Sequence, residues 1–344
     1  MIFLLEIDGS YGEGGGQILR TAISLSTLTK KPIKIINIRA NRQNPGIKPQ
    51  HYVSINSLKK LCNAETQGLE TGSSILIYKP GDFIGGDHKF DIGTAGSTTL
   101  AFQAIILASI KTDKSICIKL RGGTDVKWSP SWDYFKHVFL RILKRTGLTI
   151  DTNLIKRGYY PKGGGEAEIT IHPCNKIKPI ILDNPQKYTE IKGIINISNL
   201  PEHISSRLKH TLIKNFIQYN YKSSIKIEKS ESLSPGIGLT IWAEKNDTIL
   251  GSTILGERGI SSEEVGRIAT MNLLNEIKSQ STIDIYSFDQ ILPYMALSKE
   301  NGQSSCIIQK ISSHAQTNMW IIEKFFDVDF HTEKKENHFK IIVK

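Results

Sequence analysis

Asp8-Gly-Ser-Tyr-Gly-Glu-Gly-Gly-Gly-Gln-Ile-Leu-Arg20 is the stretch on which the reading of this chain turns. An apolar run from Ile2 to Ile7 precedes it and reads as a strand. An apolar-periodic run from Ile18 to Leu28 follows it and reads as a helix. A glycine-rich turn between strand and helix lets backbone N–H groups approach an anion, and the helix N-terminus adds partial positive charge. Glu13 is the anomaly. A carboxylate facing phosphates repels them unless a divalent ion lies between, which points to a phosphate–metal site. The plainer alternative is a structural turn, with Glu13 as a favourable charge at a helix start.

Outward from this turn, residues 1–80 read strand (2–8), helix (16–29), strand (33–39), helix (49–64) and strands at 67–71 and 74–79. Residues 88–173 give the same order: a strand to Ile92, the turn Gly93–Ser97, helix 100–110, strand 115–120, helix 132–145 and strands near 148–155 and 166–172. The period is about 85 residues, the sign of a duplicated supersecondary unit. A third copy is interrupted. Its strand is 178–182, its helix 289–297, then strand 305–311, helix 316–325 and strands 327–332 and 338–343. Between its first strand and first helix lie strand 190–198, helix 201–219, strands 222–228, 237–244 and 247–256, and helix 262–278. That is an α+β module nested at a surface connection. The expected fold is therefore α+β. A core domain holds 1–185, with units one and two and the start of three; the inserted domain is 186–279; and 280–344 returns to the core.

The chain has 344 residues, 39% hydrophobic and 22% charged, which fits an ordinary globular composition with a sizeable core. There is no apolar run long enough to span a membrane, and the N-terminus lacks the basic region of a signal peptide. Net charge is +11, which favours a polyanionic partner such as RNA, with a basic proteome background as the plainer alternative. Cys62, Cys117, Cys174 and Cys306 are scattered without a CxxC pair, consistent with a reducing cytoplasm and no structural zinc.

Three further stretches carry chemistry. The loop Ile38–His51 gathers Arg39, Arg42, Lys48, Gln50 and His51 around Pro45-Gly46. Guanidinium groups clamp phosphate in bidentate fashion, and with Arg20 they would surround the glycine turn. Ser312-Ser-His-Ala-Gln-Thr-Asn318 stands at the matching strand-to-helix turn of the third copy. A neutral imidazole there, His314, is a competent nucleophile towards phosphorus. In Asp284–Pro293, Asp289 reads as a helix cap, or as a residue that orients His314 or helps hold a metal or ribose. Tyr286 and Phe288 read as core, or as rings to stack on a purine.

In combination and order, DGSYGEGGGQILR (8–20), IRANRQNPGIKPQH (38–51), GTAGSTTLAFQ (93–103), YSFDQ (286–290) and SHAQTN (313–318) resemble the RNA 3′-terminal phosphate cyclases. The resemblance covers essentially the whole chain. It implies three tandem βαβαββ units with a small α+β domain inserted in the third. It also implies ATP-dependent conversion of an RNA 3′-phosphate to a 2′,3′-cyclic phosphate, with Mg2+ or Mn2+. His314 would attack the α-phosphorus of ATP to form histidine–AMP; AMP would pass to the RNA 3′-phosphate, and the 2′-hydroxyl would then expel it.

By the same resemblance, Gln103 and the stretch Tyr286, Ser287, Phe288, Asp289 and Gln290 form the ATP pocket, with Pro130 facing the adenine. Glu13 is the metal ligand. Arg20, Arg39, Arg42, Gln50 and His51 clamp pyrophosphate and the RNA terminal phosphate, Arg42 among the catalytic groups, and Asp289 orients His314. One departure is Ser287-Phe288, where relatives often have Leu-Ala, and it bears on the shape of the adenine pocket. Two other readings stand beside this one. One is an enolpyruvyl transferase of similar repeat fold, which needs no histidine nucleophile. The other is a non-catalytic, cyclase-like ribosome-assembly protein, which lacks the nucleophile. A homodimer is the base-rate expectation for assembly.

Overall fold

A computed structural model of the chain describes residues 4–344; positions 2 and 3 of the expected first strand lie outside the described residues. Strand β1 (Leu5–Asp8) leads through the glycine turn into helix α1 (Gly16–Thr29), followed by β2 (Ile33–Ile36), α2 (Pro49–Leu61), β3 (Glu65–Gln67) and β4 (Leu76–Lys79). The sheet order is β1-β2-β4-β3, with β1 parallel to β2 and the other pairs antiparallel. Every residue of α1 from Gln17 to Leu28 is buried except Arg20. A helix so enclosed must be covered on all sides, and it packs against helices from the rest of the core.

The next segment gives β5 (Gly86–Asp91), α3 (Thr98–Ala108), β6 (Ile116–Gly122), a helical stretch α4 over 132–146 with a π turn at Phe135–Phe139, then β7 (Ile150–Lys156) and β8 (Gly165–Ile171). Its sheet runs β5-β6-β8-β7. β8 alternates buried and half-buried residues, the period-two signature of a sheet with one face on the core.

A two-residue strand, β9 (Ile181–Leu182), precedes a separate four-stranded sheet. That sheet is built from β10 (Glu190–Ser198), α5 (Glu202–Gln218), β11 (Lys222–Ser230), β12 (Gly236–Lys245), β13 (Thr248–Leu255) and α6 (Ser262–Lys278), with the order β11-β10-β12-β13. The chain then forms α7 (Ile285–Leu297), β14 (Ser304–Ile308), α8 (Ser313–Phe325), β15 (Phe330–Lys334) and β16 (Phe339–Val343). β14 pairs in parallel with β9 across the whole intervening segment, and the sheet order is β15-β16-β14-β9. The chain is thus α+β.

One hydrophobic core runs through the first, second and last sheets and their helices. A second core, built from residues between Tyr188 and Leu273, belongs to the intervening sheet and its two helices. Side chains tie the two bodies. Arg157, buried, pairs with Asp125 at 3.2 Å, Asp133 at 2.9 Å and Glu228 of β11 at 3.3 Å. Asn196 of β10 donates to Asp133 at 2.9 Å. At Gly251 in β13 the contact with α4 is so close that an added Cβ would lie 2.7 Å from Val138 and 2.9 Å from Tyr134. No helix among the described residues is long and apolar enough to cross a membrane.

Candidate active site

The glycine turn is held by Asp8, whose Oδ1 accepts from the Ser10 N–H at 3.0 Å and the Ser10 hydroxyl at 2.7 Å. Those bonds keep its carboxyl below the usual aspartate range. Gly12 and Gly14 take φ of 57° and 55°. Gly12 also abuts α8, where a Cβ would lie 2.6 Å from Thr317 Oγ1. α1 begins at Gly15-Gly16 with no side-chain cap and no acidic residue in its first turn. Its leading N–H groups are therefore unclaimed by a cap, as an anion site requires.

Ser312 caps α8 by accepting from the Ala315 N–H at 3.0 Å, which places Ser313 and His314 in the exposed first turn. Here the two turns meet. His314 Nε2 lies 3.3 Å from Glu13 Oε2, and Arg42 Nη2 reaches the same oxygen at 3.5 Å. The Ser313 hydroxyl donates to Glu13 Oε1, and Gln17 donates to the His314 carbonyl at 3.3 Å. Four residues on from His314, Asn318 accepts from Thr21 at 2.9 Å and donates to the Asp289 carbonyl at 2.6 Å. Asn318 thus ties α1, α8 and α7 together. Nothing in the sequence assigned it this part, although the spacing from His314 puts both on one helix face.

Arg39 donates to the carbonyls of Asn44 at 2.7 Å and Gly46 at 3.1 Å, so it shapes its own loop. Burial, and Arg42 beside it, hold its guanidinium below the usual range. His51 is buried, with Nδ1 accepting from the Lys48 N–H at 3.3 Å. Burial and the nearby cations Arg20, Arg39 and Lys48 push it down to about 3, so it is neutral at physiological pH. Its ring rests on Gly16, where a Cβ would sit 2.1 Å from Nε2. Gln50 is exposed at the start of α2 and packs against Gly96 of the second segment's turn.

A small cavity of about 30 Å³ opens between α1, α3, α7 and α8, lined by Arg20, Gln103, Gln290, Pro293, Tyr294 and Asn318 among others. The amide nitrogen and oxygen of Gln103 and the Tyr294 hydroxyl are buried there without a hydrogen-bond partner. Orphaned buried polar atoms of this kind are costly unless a ligand or water satisfies them. Burial lowers Arg20 to about 10, opposed by the charge of Asp289. Burial raises the Asp289 carboxyl to about 7, against the bond from Gln290. Pro130, half-buried, accepts through its carbonyl from Thr99 at 2.8 Å at the start of α3.

Phe288 is fully buried in the main core, and Ser287 is buried in a network with Tyr134 at 2.7 Å and Asp284 at 3.3 Å. The 3.6-residue period of α7 turns 287 and 288 inward, while Tyr286, Gln290 and Pro293 share another face. The Asp289 Oδ1 accepts from Gln290 at 2.6 Å, and the carboxylate on the His314 ring is that of Glu13.

A family model described as RNA 3′-terminal phosphate cyclase matches residues 11–332. The chain belongs to the RNA 3′-terminal phosphate cyclase family. Relatives bearing that name include one from Pyrococcus furiosus, 42% identical over 96% of this chain and 95% of its own. Another, from Methanosarcina mazei, is 39% identical over 99% of this chain and 100% of its own, and one from Methanopyrus kandleri is 39% identical over 97% and 96%.

Proposed function

We propose that the chain is an ATP-dependent RNA 3′-terminal phosphate cyclase, forming a 2′,3′-cyclic phosphate through a covalent histidine–AMP intermediate and an RNA adenylate. The observation that carries the reading is the meeting of His314 and Arg42 on the one carboxylate of Glu13, between the uncapped N-terminus of α1 and the exposed first turn of α8. The His314 imidazole attacks the α-phosphorus of ATP; the N–P bond forms as the bond to the bridging oxygen breaks, and pyrophosphate leaves. An oxygen of the RNA 3′-phosphate next takes AMP from the imidazole, giving a 3′–5′ pyrophosphate linkage. The neighbouring 2′-hydroxyl then attacks the terminal RNA phosphorus, gives its proton to solvent and expels AMP. Adenylylation supplies the leaving group, while positioning and charge neutralisation do the rest.

Arg20, Arg39, Arg42, Gln50 and neutral His51 serve the pyrophosphate and the RNA phosphate. Gln103, with its unsatisfied amide, takes nucleotide together with Pro130, Tyr286, Asp289 and Gln290. Asp289 acts by ordering Gln290. Among the described residues no group of three His, Cys, Asp or Glu side chains forms a metal cage. A lone carboxylate at a phosphate-binding turn fits Mg2+ or Mn2+ held jointly by protein and phosphate oxygens, with Glu13 as the protein ligand. When bound, that ion neutralises charge on the triphosphate.

The same strand order in the first, second and last sheets supports three βαβαββ units. The separate hydrophobic core supports an inserted domain at 186–279 between 1–185 and 280–344. Cytoplasmic residence and a homodimer complete the proposal.

The test is incubation with α-labelled ATP and metal, followed by an oligonucleotide ending in 3′-phosphate or 3′-hydroxyl. We expect acid-labile label on the parent protein, none on His314→Ala, and cyclisation of the 3′-phosphate alone. Normal labelling of His314→Ala removes the nucleophile assignment. Product from neither oligonucleotide favours a binding role.

A further inference from the structure

Trp128 is 96% exposed, and its backbone sits at φ 60°. A bulky residue enters that left-handed region only at a cost, and no packing repays it here. Tyr160 is 76% exposed. The two stand on adjacent loops, since Asp125 bridges Tyr159 in a parallel pair. These loops connect back to the phosphate cradle. A Cβ at Gly163 would lie 2.8 Å from the Ala95 Cα, and one at Gly96 would lie 3.3 Å from the Gln50 Cβ. The loop of Tyr160 therefore abuts the turn 93–97, and that turn abuts Gln50.

Cations flank the rings. Lys162 and Arg258 are exposed and form no ion pair among the described residues. Arg258 follows Glu257, which pairs with Lys127 beside Trp128 at 2.6 Å. Open aromatic faces between unpaired cations suit single-stranded nucleic acid, because every base has a face to stack and every linkage a charge to meet. A protein partner would favour a lysine-poor patch, and the chain's net charge of +11 also points to a polyanion.

We propose that Trp128 and Tyr160 form a stacking platform for unpaired bases upstream of the RNA 3′ end, with Lys162 and Arg258 on the backbone phosphates. The proposal rests on the cyclase reading above and adds to it where the body of the substrate lies. Two RNAs ending in 3′-phosphate, an unstructured decamer and a dinucleotide, test it with Trp128→Ala and Tyr160→Ala. We expect each variant to form protein–AMP at the parent rate and to keep the parent KM for the dinucleotide. For the decamer, KM rises about tenfold with kcat unchanged.

An unchanged decamer KM overturns the platform, as does an equal loss on the dinucleotide. If Trp128→Ala turns a dimer into a monomer in sedimentation while the decamer KM holds, the patch is a contact between copies instead. If the parent neither labels nor cyclises, the cyclase reading fails by itself. Decamer binding by fluorescence anisotropy then decides the platform: a Kd weakened about tenfold in Trp128→Ala sustains it, and an equal Kd rejects it.

Discussion

At the scale of single residues, Glu13 is the pivot: one carboxylate takes His314, Arg42 and Ser313. Its proposed metal role separates it from Arg42, whose proposed work is on the RNA phosphate. Glu13→Ala is expected to slow protein–AMP formation and raise the metal concentration for half-maximal rate. Arg42→Ala is expected to spare AMP attachment more than AMP transfer to RNA, as single-turnover assays of each step would read. Equal metal dependence in Glu13→Ala and its parent counts against the ligand role. Asp289 makes a second prediction. Its folded carboxyl, near 7, lies above the unfolded value near 4. The folded chain thus keeps a proton that the unfolded chain releases. That stability is complete below about pH 4 and is lost as pH rises through 7. Asp289→Asn cannot ionise, so between pH 5 and pH 8 it should gain stability over its parent by a few kcal/mol, on the order of one per pKa unit. Chemical denaturation at the two pH values measures this, and parallel profiles would refute it.

At the scale of elements, α7 shows what the sequence displayed and what it hid. Its apolar period was legible, but its start was expected at Asp289 and lies at Ile285. The reason is Asp284, whose Oδ1 caps the Tyr286 and Ser287 N–H groups at 3.1 and 3.0 Å. Its Oδ2 accepts from the Gly251 N–H of β13 at 3.0 Å, and Tyr134 also donates to this carboxylate. Those last two partners come from distant segments, so a local pattern had no means of revealing them. Asp284→Ala removes a cap and orphans two buried donors. We expect a loss of about 2–4 kcal/mol in urea denaturation together with a higher KM for ATP, since α7 carries Gln290 and Asp289, both proposed above to take the nucleotide. Helix 262–278 and strand 190–198, by contrast, occupy the limits their periodicity predicts, because each is long and flanked by plain start and stop signals.

At the scale of the whole molecule, the candidate site is assembled from three distant parts of the chain. Periodicity places each turn on its own element but is silent on which turns meet. The approach of His314 to Glu13 was legible only through the order of motifs, and the Arg157 network was not legible at all, since Asp125, Asp133 and Glu228 come from separate segments that no local pattern joins. The net charge of +11 also belongs to this scale. If RNA is held by its phosphates, log KM for the oligonucleotide should rise with log salt by about 0.7 for each phosphate neutralised, while ATP labelling changes less. Equal salt dependence of the two steps would argue against a phosphate track. The pairing of β9 with β14 reaches further still. A ribosome releases the intervening segment, able to collapse on its own core, before Cys306 exists to meet Leu182. The last sheet is therefore the slowest to close during synthesis, and chains truncated before its final strands should be the ones that proteases and chaperones take.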